Sequence, residues 1–137
     1  MHAVFADTSF WIAMLNPKDG LHAKVESVAA SSGSTPLVTS QMVFAELLND
    51  FAHRGATLRD AAKRLVETLS RNPSTTVVPQ SVTQFHAALS LYSERNDKTW
   101  AFTDCASFLI MHTLGISDAL TYDKHFEQMG FRALLRK

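Results

Sequence analysis

The sequence predicts an α/β domain whose sheet is mainly parallel and has four or five strands. Short apolar runs alternate along the chain with longer segments of helical periodicity, and strand–helix–strand units of this kind pair their strands in parallel. No repeat, low-complexity tract or long linker divides the 137 residues. A chain of this length can bury roughly 68–70% of its unfolded surface, so one full core and one domain over 1–137 are expected.

The elements follow in order. His2-Ala3-Val4-Phe5-Ala6 is a short apolar run that reads as a buried strand ending at Asp7. Thr8 to Leu15 then reads as a helix stopped by Asn16-Pro17, and a second helix covers Leu21 to Ala30 before the Ser/Gly-rich loop ahead of Pro36. Leu37-Val38-Thr39 makes the next strand. Ser40 is placed to cap a helix from Gln41 to His53, in which Val43, Phe44, Leu47, Leu48 and Phe51 form one apolar stripe and Gly55 follows as a stop. Leu58 to Leu69 is an exposed amphipathic helix with Asp60 and Arg64 in i,i+4 register, ended by Asn72-Pro73. Thr75-Thr76-Val77-Val78 is a third strand, and Ser81 to Glu94 a helix with Val82, Phe85, Leu89 and Tyr92 on one side. Thr103 is read as the cap of a helix from Asp104 to Leu114, with Gly115 as its terminator. Ala119-Leu120-Thr121-Tyr122 forms a fourth strand ending at Asp123, followed by a short helix to Met129 and an edge strand at Phe131-Arg132-Ala133.

Composition narrows the function. Thirteen Lys+Arg balance thirteen Asp+Glu, so neither a basic nucleic-acid coat nor an acidic tail is available. The single cysteine, Cys105, forms no intramolecular disulfide, which fits a reducing cytoplasm. The start MHAVFAD has no basic leader, and the cluster Phe108-Leu109-Ile110-Met111 is far too short to cross a bilayer, so no membrane association is expected. The six histidines include no i,i+4 pair and no zinc-type spacing. A G-x-S-x-G elbow, a P-loop and a G-x-G-x-x-G fingerprint are all missing. Cys105 reads as a small buried helix residue and Phe10 and Trp11 as core or interface aromatics.

The acids carry the functional signal. Ligands in parallel α/β folds gather outside the carboxyl ends of the strands, where Asp7 and Asp123 fall. Asp104 opens a helix, and Glu46 lies on the helix after the second strand, well away from its apolar stripe. Taken singly, Asp7 and Asp123 read as N-caps, Asp104 as a dipole-favoured first-turn acid and Glu46 as a solvated residue. Taken together, four carboxylates converging on one pocket would repel each other unless a cation sits among them. Oxygen-only ligands suit Mg²⁺ or Mn²⁺, and ions held this way can activate water for phosphodiester cleavage.

Four segments then resemble one family in order and spacing. Val4 to Trp11 (VFADTSFW) resembles the opening of PIN-domain nucleases, and Thr39 to Leu47 (TSQMVFAEL) is similar to their second acidic motif. Trp100 to Phe108 (WAFTDCASF) resembles the family's W-S-L-T-D-C-x-S-F, with Ala101-Phe102 departing from the usual Ser-Leu. Ala119 to Phe131 (ALTYDKHFEQMGF) is similar to its closing A-L-T-x-D-x-H-F segment. The resemblance implies a three-layer α/β/α sandwich and a Mg²⁺- or Mn²⁺-dependent endoribonuclease in which metal-activated water attacks RNA in line. It makes Asp7, Glu46, Asp104 and Asp123 the acidic quartet and metal ligands, Thr8, Ser9 and Thr103 supporting groups, and Asp97 a further acidic position.

A PIN domain of this length most resembles the VapC toxins of toxin–antitoxin pairs. That implies RNA as substrate, a cognate antitoxin covering apolar surface near Phe10 and Trp11, and a homodimer. Arg54, Lys98 and Lys124 are the leading candidates for RNA contact, with Arg59, Lys63, Arg64, Arg132, Arg136 and Lys137 beside them; each is equally a solvated charge. A housekeeping RNA-processing nuclease and a non-catalytic PIN interaction module remain as alternatives. A receiver domain and a haloacid-dehalogenase-type phosphatase are disfavoured, because Ala6 precedes Asp7 and Ser9 stands where a second aspartate would be needed.

Overall fold

The computed structural model describes residues 2–137. Five parallel strands form one sheet: β1 (Val4–Ala6), β2 (Leu37–Ser40), β3 (Thr75–Val78), β4 (Asp118–Leu120) and β5 (Arg132–Ala133), in the order β3-β2-β1-β4-β5. The first strand is therefore central. Phe5 pairs with Val38 on one side and Ala119 on the other, so the chain runs outward from β1 to one edge and then returns to complete the other half.

Seven helices connect the strands: α1 (Thr8–Leu15), α2 (His22–Ser31), α3 (Gln41–Phe51), α4 (Ala56–Arg71), α5 (Val82–Glu94), α6 (Phe102–Leu114) and α7 (Lys124–Gln128). Helix α1 packs on α2, α3 and α4, whereas α6 packs on α5 and α7. The crossovers reverse direction after β3, and right-handed connections then place α1–α4 on one face and α5–α7 on the other. The result is the three-layer α/β/α arrangement expected, with an all-parallel sheet covered on both faces.

Strand residues Phe5, Ala6, Val38, Ala119 and Leu120 are buried between the layers. On the first face, Phe10 and Trp11 meet edge to face with centroids 4.9 Å apart. The Trp11 Nε1–H donates to Thr39 Oγ1, whose own hydroxyl donates to the Ala6 carbonyl, so the indole satisfies its polar end inside the core. On the other face, Phe108 sits edge-on to both Trp100 and Phe126, at 5.0 and 4.9 Å.

Three sequence expectations are corrected here. Phe10 and Trp11 are 2% and 1% exposed, so no antitoxin segment can cover them; two large aromatics at the start of a short helix against the sheet are worth more as core. The α5 residues Val82, Phe85, Leu89 and Tyr92 do share one side, but that side faces solvent, and Ala88 is what α5 buries. Thr103 does not cap α6. The helix starts one residue earlier, at Phe102, and Asp104 Oδ2 reaches back to accept the Ala101 N–H. Gly115 does end α6, at φ +68°, a conformation in which a side chain would be strained.

Candidate active site at the carboxyl edge of the sheet

Four acidic side chains are delivered to the carboxyl edge by four separate segments. Asp7 follows β1 directly and its backbone N–H donates to the Leu120 carbonyl, which ties the ends of β1 and β4 together. It occupies the N-cap position of α1 without making a side-chain capping bond, so capping does not account for it. Asp123 does cap, its Oδ1 accepting the His125 N–H at 2.9 Å. Asp104 is the third residue of α6 and Glu46 is half-buried on α3, off the buried Val43–Leu47–Phe51 stripe.

Electrostatics bind the four into one cluster. Burial pushes the Asp7 carboxyl from 3.8 up to about 7, and the charges of Asp104 and Glu46 push in the same direction, against a hydrogen bond from Thr121. Asp104 is also raised, chiefly by burial, with Asp123 adding to the effect while Ala101 and His125 oppose it. Mutual repulsion across these pairs requires close approach, so Asp7 senses Asp104 and Glu46, and Asp104 senses Asp123.

The hydrogen bonds leave a pattern suited to a cation. Thr121 donates to Asp7 Oδ2 at 2.9 Å; Ala101 and His125 Nδ1 both lie 3.0 Å from Asp104 Oδ2; His125 holds Asp123 Oδ1. Among the described residues, Asp104 Oδ1 and Asp123 Oδ2 receive no protein donor, whereas the Asp7 carboxyl is favoured in its charged form by the Thr8 N–H as well as by Thr121. Asp104 and Asp123 thus each have one oxygen held and one open. Ligand atoms of Asp104, Asp123 and His125 all lie within 4.8 Å of one another. The buried Thr8 hydroxyl, beside Asp7, has no partner. Carboxylate oxygens, an orphan hydroxyl and a carboxyl disfavoured in its charged form are what a hard divalent ion would satisfy.

The supporting residues divide. Ser9 Oγ lies 3.3 Å from Thr121 Oγ1 and accepts the Tyr122 N–H, joining the network around Asp7. Thr103 is buried in the first turn of α6, where its carbonyl accepts from Ser107. Asp97 is not brought to the cluster. It forms a two-bond pair with Arg95 on the exposed loop before α6, and a neighbouring guanidinium explains the acid there.

Two residues absent from the sequence reading belong to the site. Thr121 links Asp7 to Asp123, donating to the first carboxylate and accepting the second residue's N–H at 3.0 Å. His125 contacts both Asp104 and Asp123. The signal for each was its place within the ALTYDKHF segment, where Thr121 and His125 flank Asp123 at two-residue spacing. The Cys105 thiol is buried and its pKa is raised, by burial and then by Asp104, which makes it a poor nucleophile.

Around this edge the basic candidates are unevenly free. Arg54 pairs with Asp50, Arg64 with Asp60, Arg132 with Asp118 and Arg136 with Glu127. Among the described residues Lys98 and Lys124 form no ion pair; Lys124 follows Asp123, and Lys98 precedes Thr99, whose hydroxyl lies 3.2 Å from His125 Nε2.

A parallel α/β/α sandwich with converging carboxylates at its carboxyl edge defines a protein of the divalent-metal, phosphoryl-transfer kind. Residues 4–132 match the PIN domain model, and the chain belongs to the PIN-domain family, whose nucleases depend on divalent metal. It is similar to the 23S rRNA-specific endonuclease VapC20 of Mycobacterium tuberculosis, in strains CDC 1551 and H37Rv alike. The identity is 32% over 133 residues, covering 93% of this chain and 95% of that protein. The crystal structure of M. tuberculosis VapC20, described as a sarcin–ricin loop cleaving toxin, superposes with a TM-score of 0.84 and 26% identity. That match covers 95% of this chain and 97% of the other.

Proposed function

We propose that residues 1–137 act as a single PIN domain, a Mg²⁺- or Mn²⁺-dependent endoribonuclease that serves as the toxin of a toxin–antitoxin pair in the cytoplasm. The observation that carries this reading is the grouping of Asp104 and Asp123, whose ligand atoms lie within 4.8 Å of each other and of His125, with Asp7 close enough to be repelled by Asp104 and Glu46. Asp7 and Asp104 hold the ion most directly, and Glu46 and Asp123 complete its surroundings. A divalent ion there supplies the positive charge that makes water nucleophilic and stabilises the leaving oxygen of the phosphodiester. Thr121 keeps Asp7 oriented, Ser9 braces Thr121, and the buried Thr8 hydroxyl is available to a water or to the ion's shell. Lys98 and Lys124 meet the phosphate backbone flanking the cut, and Arg54 contributes only by leaving Asp50.

Similarity along the whole chain to a 23S rRNA-specific endonuclease makes a large-subunit rRNA loop the substrate to test first. Two copies pair through α5. Its stretch from Val82 to Ser93 carries no Asp, Glu, Lys or Arg, so a twofold contact sets no like charges together while covering Val82, Phe85, Leu89 and Tyr92. The antitoxin must then approach the acidic edge from elsewhere than Phe10 and Trp11.

Purified protein incubated with rRNA and Mg²⁺ is expected to give discrete cleavage. Asp104→Asn and excess EDTA should each remove it with the fold intact by circular dichroism. Cleavage that persists in both refutes the metal-nuclease reading.

A further inference from the structure

We propose that His125 is a positioning residue that sets which oxygens of Asp104 and Asp123 are open, its ring Nδ1 engaging Asp104 and its backbone N–H engaging Asp123. The proposal rests on the metal-site reading above and deepens it.

His125 Nδ1 is 3.0 Å from Asp104 Oδ2 and 3.2 Å from Asp123 Oδ1. An ionised carboxylate only accepts hydrogen bonds, so against ionised Asp104 it is the Nδ1–H that donates. The far nitrogen, Nε2, lies 3.2 Å from Thr99 Oγ1, and in the neutral ring the threonine hydroxyl donates to it. The ring is therefore fixed at both ends, between the loop ahead of α6 and the first turn of α7. Its side chain is only 17% exposed, so water competes weakly for these bonds.

The consequence is geometric. Asp104 comes from α6 and Asp123 from the start of α7, two elements that otherwise meet through the buried Phe108–Phe126 ring pair. Backbone donors already hold Asp104 Oδ2, through Ala101, and Asp123 Oδ1, through His125 itself. The Nδ1 bond to Asp104 Oδ2 therefore ties that carboxylate to the same residue whose backbone N–H holds Asp123, with Nδ1 itself 3.2 Å from Asp123 Oδ1. With both inner oxygens engaged, Asp104 Oδ1 and Asp123 Oδ2 are the ones left open. Groups that orient metal ligands in this way are typically worth about 10–100-fold in metal affinity.

The test uses Mn²⁺ binding by calorimetry and unfolding in EDTA, so neither readout needs turnover. His125→Ala is expected to weaken Mn²⁺ binding by about 10–100-fold. His125→Asn, whose amide N–H falls near the position of Nδ1, should recover most of that loss. In EDTA, His125→Ala should lower the unfolding midpoint, and the drop should shrink by at least half in an Asp104→Ala background, which removes the ring's carboxylate partner. Undiminished Mn²⁺ affinity in His125→Ala, no recovery in His125→Asn, or an equal midpoint drop in both backgrounds each overturns the proposal. If the parent protein itself binds no Mn²⁺, the nuclease reading fails, and the EDTA arm alone then decides whether the clamp exists.

Discussion

Replacing Asp7 with asparagine is expected to stabilise the metal-free protein while ending its activity. The side chain is 5% exposed, and burial together with Asp104 and Glu46 pushes its pKa from 3.8 to about 7. The folded state therefore keeps a proton between about pH 4 and 7 that the unfolded chain releases. Wild-type stability consequently falls as pH rises through that window and levels off above it. At 1.36 kcal/mol per pH unit, the ionised carboxylate costs the folded, metal-free protein about 4 kcal/mol at pH 8. Asparagine keeps the shape and can still accept the Thr121 hydroxyl, but its amide N–H₂ needs a partner, so about 2 kcal/mol of that should be recovered.

The assay is urea unfolding of both proteins in EDTA at pH 4.5, 6 and 8. The Asp7→Asn variant should lie about 1 kcal/mol below the wild type at pH 4.5, draw level at about pH 5.5 and exceed it increasingly toward pH 8. Adding Mg²⁺ should raise the wild type and leave the variant unmoved, since only a binding-competent site gains from mass action. A variant less stable than wild type at pH 8 in EDTA, or a difference that does not change with pH, would refute the account of Asp7 as a strained carboxylate awaiting a cation.

Two further outcomes are expected. Lys98→Ala and Lys124→Ala should each weaken RNA binding and reduce its salt dependence by about one phosphate contact, whereas Arg132→Ala, already paired with Asp118, should change little; filter binding across salt concentrations separates them. If two copies pair through α5 as proposed, Phe85→Glu should leave only monomer in sedimentation equilibrium, because the twofold contact would bring the new charges together, with stability almost unaffected since Phe85 is 43% exposed.

Sequence periodicity located nearly every element, because the strands are short apolar runs bounded by Asp, Pro and Ser. Helix α1 matches the expected range, and β4 is displaced by one or two residues, since Thr121 and Tyr122 turn away toward the acidic cluster. What periodicity could not supply was the partner of an apolar face. The α5 stripe and the Phe10–Trp11 pair look alike in one dimension, yet one faces solvent and the other the sheet. The acids were legible as a set only through their place at strand ends. Asp97 went astray because the sequence does not say whether a carboxylate two residues from Arg95 turns to that guanidinium or to the acidic cluster. Thr121 and His125 escaped notice because their roles are relational: each joins Asp123, two residues away, to a carboxylate distant in the chain, Asp7 or Asp104.

The central position of β1 also governs when activity can begin. The Thr121–Asp7 hydrogen bond joins residues 114 positions apart, and β1 has no neighbour on that side until β4 has been made. A growing chain can lay down β1, β2 and β3 and their helices, but it then holds Asp7 and Glu46 without Asp104 or Asp123. Late closure of so distant a contact is slow in folding terms. If the four acids form the proposed metal site, a truncated or still-emerging chain has half of it, and hydrolytic competence would arrive only with the last fifth of the polypeptide.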